Sequence, residues 1–186
     1  DMNVVDVSHP LGRKINVIGG GGKTTLAKAL SAKYSYKNIE LDFLHFLPNW
    51  VEREPEDFRK IVAMALKDSG DKWVADGNYK AKLQDLISSR ADMVIWLDLP
   101  WFLIFRRILI RSFKRLIDRT QVCGDNTETW RLFFSKNALW WWYIANRKGI
   151  SKREEEFSEY IPQNTPVIRI KNTKELNAFY RYWLSK

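Results

Sequence analysis

A three-layer α/β/α domain built on a five-stranded parallel sheet is the architecture this sequence predicts, and three observations predict it. Strand-like apolar segments alternate with segments of helical periodicity, the rhythm of strand–helix–strand units. A glycine run followed by Lys-Thr-Thr joins the first apolar segment to a helix. Several strand-like segments run into an aspartate (Asp42, Asp76, Asp98). In parallel sheets the C-terminal strand ends face the ligand crevice.

Taken in order, Lys14–Ile18 reads as the first strand and Thr25–Lys33 as the helix behind the glycines. Asn38–Leu41 is a short strand that runs into Asp42. Pro55 opens a helix from about Glu56 to Ser69, with Phe58, Ile61, Val62, Ala65 and Leu66 at helical spacing. Trp73–Ala75 is the third strand, followed by Asp76-Gly77-Asn78-Tyr79. Lys82–Ser88 is a short helix, and Met93–Leu97 a fourth strand that leads to Asp98. A long helix runs from about Trp101 to Ile117, and the polar segment Asp118–Glu128 reads as a mobile loop. Thr129 to Arg147 reads as helix and carries the run Trp140-Trp141-Trp142-Tyr143. Val167–Ile170 is the fifth strand and Lys174–Leu184 the closing helix. Residues 1–186 therefore read as one domain, without repeats or a low-complexity linker.

The run Gly19-Gly20-Gly21-Gly22-Lys23-Thr24-Thr25 suits a phosphate cradle. Glycines let consecutive backbone N–H groups converge without Cβ clashes, and a helix N-terminus adds unpaired donors and partial positive charge. Lys23 is placed to reach terminal phosphates of ATP, and the Thr24 hydroxyl to ligate Mg²⁺. The plain alternative is a flexible turn followed by a surface lysine. The run is two residues short of the pattern Gly-x-x-x-x-Gly-Lys-Thr, whose first glycine would fall at Val17. Two further residues between Gly19 and Gly20 would complete it.

The single cysteine, Cys123, excludes an intramolecular disulfide and a cysteine metal cluster. Neither a transmembrane stretch nor a signal-like segment stands out, so a cytoplasmic protein without a membrane partner is expected. The formal charge is +9, from 31 basic and 22 acidic residues. That sign suits a polyanionic small molecule and equally nucleic acid. Much of the excess sits at Arg106, Arg107, Arg111, Lys114, Arg115 and Arg119.

Several short segments follow one another across almost the whole chain. They are Gly22-Lys23-Thr24-Thr25-Leu26-Ala27, Glu40-Leu41-Asp42, Pro48-Asn49-Trp50, Trp73-Val74-Ala75-Asp76-Gly77-Asn78-Tyr79 and Asp98-Leu99-Pro100. Arg107, Arg111, Gly124-Asp125-Asn126 and Trp130-Arg131 come after them. On these residues the chain resembles P-loop kinases of the adenylate-kinase type. It more closely resembles small bacterial topology modulation proteins, also labelled AAA-type P-loop ATPases. The resemblance implies a P-loop NTPase fold with strand order 2-3-1-4-5, a Walker A loop, and a helical lid at about residues 112–131.

It also implies roles. Asp76 would orient Mg²⁺ beside Thr24, Asp42 would hold or deprotonate an acceptor hydroxyl, and Arg107 would flank ATP. Arg111, with Arg115 behind it, would reach the transferring phosphoryl group, and Asn172 would lie at the adenine. Trp50, Asn78 and Tyr79 fall where an acceptor pocket is expected. Each residue has a plainer reading. Asp76 and Asp42 could be caps, the arginines a solvated basic face, and His45 a packing residue beside Phe43 and Phe46. Trp140–Tyr143 could be core, a dimer surface, a ligand wall or a membrane contact.

The expectation is an ATP- and Mg²⁺-dependent phosphotransferase acting on a small hydroxyl- or phosphate-bearing acceptor, such as a nucleoside or nucleotide, as monomer or homodimer. The alternative is a nucleotide-controlled DNA-binding ATPase that affects DNA topology, supported by the charge and the family label.

Overall fold

The computed structural model describes residues 2–147 and 153–185. Its elements in chain order begin with β1 (Asn3–Val5), β2 (Lys14–Gly20), α1 (Lys23–Tyr34), β3 (Lys37–Glu40), α2 (Leu41–His45), β4 (Phe46–Leu47) and β5 (Val51–Glu52). Next come α3 (Pro55–Asp68), β6 (Trp73–Asp76), α4 (Lys80–Leu83), β7 (Met93–Asp98), α5 (Trp101–Asp118), β8 (Gln121–Val122) and β9 (Asn126–Thr127). The chain continues through α6 (Trp130–Phe133), α7 (Leu139–Ala145), α8 (Arg153–Tyr160), β10 (Pro166–Ile170) and α9 (Thr173–Phe179).

The main sheet has six strands in the order β1-β10-β7-β2-β6-β3, and each pairing is parallel. The expected five-stranded sheet of order 2-3-1-4-5 is thereby corrected. The added strand, β1, pairs Asn3 with Pro166 and Val5 with Ile168 at the β10 edge. Three residues, two of them exposed, cannot carry a readable alternation. Only the partner strand reveals this one.

Side chains alternate across the central strands, as the pleat requires. On β7, Met93, Ile95 and Leu97 join Leu26 and Leu30 of α1, Ile104 and Ile108 of α5, and Phe179 of α9. Val94 and Trp96 point the other way, to Phe157 of α8 and Ile161. On β6, Trp73 and Ala75 pack on Phe58 and Val62 of α3. The two faces are therefore covered by different helices, leaving the C-terminal strand ends to converge at one rim.

Other expectations also change. The segment 129–147 is two short helices instead of one, because Ser135 interrupts it. Its hydroxyl donates to Leu132 O at 2.7 Å and accepts from Asn137 N at 3.1 Å, a local alternative to helical bonding. The polar segment after α5 holds the β8–β9 hairpin, with Gly124 at φ +85° in its turn. The region 112–131 thus contains the last turns of α5, this hairpin and the start of α6. Among the described residues, no helix is long and apolar enough to cross a membrane.

Phe58 is fully buried between α3 and the sheet and meets the rings of His45 and Tyr79 at 4.7 and 5.1 Å. Phe58→Ala should cost about 3–5 kcal/mol of stability. Urea denaturation measures this, and a lowered midpoint with an unchanged slope is the expected result.

Candidate functional site

The rim where β2, β6 and β7 end carries the glycine run. Gly19 and Gly20 belong to β2, opposite Leu97 and Asp98 of β7. Helix α1 starts at Lys23, so Gly21 and Gly22 alone link strand to helix. This corrects the Walker A and P-loop NTPase reading. The Walker A pattern needs a longer stretch between its glycines for backbone N–H groups to circle a phosphate. Here the chain turns from strand to helix too sharply for that. Gly19 adopts φ +96°, and a Cβ there would lie 2.2 Å from Leu97 O, so a side chain is excluded.

The start of α1 is nevertheless rich in donors. Its first helical backbone bond runs from Leu26 N to Gly22 O, so the N–H groups of Lys23, Thr24 and Thr25 have no helical acceptor. Gly22 supplies no side-chain cap, and Thr25 is exposed on this turn. Lys23 Nζ folds back to donate to Gly19 O at 2.9 Å. Burial lowers its pKa, opposed by Asp42 and Asp76 and reinforced by Arg153 and Arg111.

Asp76, at the end of β6, is buried. Its Oδ2 accepts from the Thr24 hydroxyl at 2.5 Å, while Oδ1 makes no hydrogen bond. Burial raises its pKa, opposed by Thr24 and Lys23. A buried carboxylate oxygen without a partner, beside a hydroxyl, fits a hard cation that takes its other ligands from phosphate and water. Among the described residues no group of three or more His, Cys, Asp or Glu forms a closed metal cage.

Asp42 lies in α2, where its Oδ1 accepts from the Tyr79 hydroxyl at 2.6 Å. Burial and the Asp42 charge both push the Tyr79 pKa upward, so the phenol stays a donor. Asn78 turns to the glycine run. Its Oδ1 accepts from Gly19 N at 2.9 Å and its Nδ2 donates to Gly19 O at 2.6 Å. Trp50 joins the hairpin, with its N donating to Asn126 Oδ1 at 2.8 Å and its Nε1 to Thr127 O at 3.1 Å. Of the four residues expected at an acceptor pocket, Asp42 and Tyr79 are therefore in direct contact. His45 is buried against Phe46, Phe58 and Tyr79, and Lys82 Nζ lies 2.9 Å from its Nε2.

Helix α5 presents its arginines to the same rim. Arg107 Nη1 donates to Gly21 O at 2.5 Å. Arg111 has its pKa lowered by desolvation and by Arg115, with Glu128 and Asp42 acting in the opposite sense. Arg115 pairs with Glu128 at 3.1 Å, which ties α5 to the segment after β9. Asn172 caps α9: its Oδ1 accepts from Glu175 N at 2.9 Å, and Glu175 Oε2 accepts from Lys171 N at 2.7 Å.

Two residues at the rim escaped the sequence reading. Arg153, at the start of α8, brings a guanidinium nitrogen to 3.8 Å from where a Gly20 Cβ would sit. Its neighbour Glu154 pairs with Arg169 at 2.8 Å, and Arg169 pairs with Asp98 at 2.7 Å, which fastens α8 to the sheet end. Asn126 is buried and also donates to Leu47 O at 3.0 Å, bridging the two hairpins. Arg153 belongs to no motif. Asn126 lies in the Gly-Asp-Asn segment, the one signal that pointed to it.

No family model and no curated protein matches the chain. Solved structures similar to it include an unliganded sugar kinase from Janibacter, at 16% identity and a TM-score of 0.47, covering 94% of this chain and 95% of that one. An uncharacterized protein from Eubacterium ventriosum is 12% identical with a TM-score of 0.43, over 94% and 99%. A Thermus thermophilus protein is 15% identical with a TM-score of 0.48, over 90% and 95%. The resemblance to adenylate-kinase-type P-loop kinases and to topology modulation proteins is corrected accordingly. No family model carries it, and the short glycine link departs from its central motif. At such low similarity the function has to be argued from the site itself.

The raised pKa of Asp76 has a thermodynamic consequence. Above the ordinary carboxylate range the unfolded chain has already lost this proton while the folded chain keeps it, so stability falls as pH rises through that window. Asp76→Asn should therefore gain stability relative to the parent as pH goes from about 4 to about 7. Denaturation midpoints across this range measure it, and Mg²⁺ should narrow the difference by stabilising the parent alone.

Proposed function

We propose that the protein transfers the γ-phosphoryl group of Mg²⁺–ATP to a small hydroxyl-bearing acceptor. The observation that carries this reading is the convergence of cations on the glycine link. Lys23, Arg107 and Arg153 surround it beside the uncapped start of α1, and Arg111 adds its charge to the field at Lys23. Like charges so close together repel, and a polyphosphate relieves that repulsion.

The N–H groups at the start of α1 would hold the phosphates, with Lys23 leaving Gly19 O to reach their terminal oxygens. Thr24 and Asp76 would hold Mg²⁺, which when bound neutralises charge on the phosphate oxygens. Tyr79 occupies one oxygen of Asp42 and leaves the other to accept a hydrogen bond from the acceptor hydroxyl and then its proton. Arg111, electrostatically linked to Asp42 and Lys23, would balance charge on the phosphoryl oxygens during transfer. The 112–131 segment would serve as the lid, joined to the acceptor side through Asn126 and Trp50.

Incubation with γ-labelled ATP and a mixture of small metabolites should yield a labelled metabolite. Lys23→Ala should abolish most binding of a non-hydrolysable ATP analogue in calorimetric titration. Asp42→Asn should keep that binding and lower the transfer rate by about 10²–10⁴-fold. Phosphate release stimulated by DNA, with no phosphorylated metabolite, would overturn the proposal.

A further inference from the structure

Helix α5 has three faces. Ile104, Ile108, Ser112 and Leu116 are buried against the body, and Arg107, Arg111 and Arg115 follow the site side. The third face carries Phe102, Ile110, Phe113 and Ile117, exposed by 69, 56, 48 and 62%. A helix apolar on opposite sides is normally covered on both. Here an open groove of about 490 Å³ runs between this outer face and Phe133 of α6, with Lys114 and Asp118 also lining it.

Aromatic rings extend the apolar surface beyond the groove. Phe113 meets Trp130 edge-on at 6.1 Å, and Trp130 stacks on Phe134 at 6.1 Å. Phe133 then leads through Trp140 to Trp141. Trp130 and Phe134 are 51 and 74% exposed. Basic side chains accompany them, since Arg106, Lys114, Arg131 and Lys136 are all exposed. From Trp101 to Arg147 the chain has nine basic and three acidic residues, and of the nine Arg107, Arg111 and Arg115 belong to the site side.

We infer that this face docks on an anionic lipid bilayer. Aromatic and aliphatic side chains would enter the headgroup boundary, while the lysines and arginines meet lipid phosphates. A second copy of the chain would satisfy the apolar groups but would set two basic rims against each other. The bilayer satisfies both requirements. Peripheral docking of this kind needs no membrane-crossing helix. It also leaves the Arg107–Arg111–Arg115 face turned to the site.

The test is sedimentation of the whole protein with vesicles of phosphatidylcholine alone and of phosphatidylcholine mixed with phosphatidylglycerol, without nucleotide. Binding to the anionic vesicles only, weakening with salt, is expected. The double variant Trp130→Ser, Phe134→Ser should lower partitioning about tenfold or more. The variant Lys114→Glu, Lys136→Glu should lower it at low salt and converge with the parent at high salt. Unchanged thermal melting of both variants shows that folding is intact. Equal sedimentation with both vesicle types, or none with either, would overturn the inference. So would light scattering that finds a dimer dispersed by the aromatic variant, which would assign the face to self-association.

Discussion

The hydrogen bond from Thr24 to Asp76 organises the rim of the sheet. Asp76 is buried at the end of a strand whose partners occupy both sides, so its carboxylate has little water to solvate it. An unpaired charge in such a place is costly, and Thr24 supplies the compensating donor to one oxygen. That bond requires α1 to begin immediately beside β6. The two-glycine link makes this possible, because Gly21 and Gly22 take φ values of +84° and +134°. The same compression brings Lys23 back onto Gly19 and leaves the first N–H groups of α1 facing the crevice.

Charge around this bond is arranged unevenly. Arg111 and Arg153 both act on Lys23, while Asp42 and Asp76 provide the opposing charge. The carboxylates are divided by surroundings. Asp76 is desolvated and held by Thr24, whereas Asp42 is exposed and held by a Tyr79 phenol that burial keeps protonated. One is suited to a resident cation and the other to exchange with a visiting hydroxyl. The two hairpins beside Asp42 are tied through the buried Asn126. Asn126 bonds Trp50 N, Leu47 O and Cys123 O, so it holds both hairpins at once.

Helix α5 connects this site to the outer surface. Its three faces serve the sheet core, the glycine link and the exposed aromatic groove, and a rotation suited to one would displace the others. The N-terminal end is seated by Ile104, which lies 3.1 Å from where Cβ atoms on Gly20 or Gly21 would be. A Cβ at either glycine would force the Ile104 side chain to give by a few tenths of an ångström, so the link and the start of α5 are packed closely together.

The sequence by itself determined where the central strands and the long amphipathic helices lie, since each buries enough apolar surface to impose its own period. Trp73–Asp76 and Met93–Asp98 are legible for that reason. It also singled out Lys23 and Thr24 behind the glycines and Asp76 and Asp42 after strands, each with a plainer reading as surface residue or cap, and tertiary structure is what brings them near one another. Tertiary structure alone decided the sixth strand, because Asn3–Val5 takes its identity from β10. It alone placed Arg153, which reaches the glycines from a helix seated by Phe157 on Trp96 and by the Arg169–Glu154 pair. It also showed that the glycine run is shared between a strand and a two-residue turn. Local periodicity records what a segment buries, whereas the meeting of strand ends, the length of a turn and the neighbours of a charge depend on distant parts of the chain.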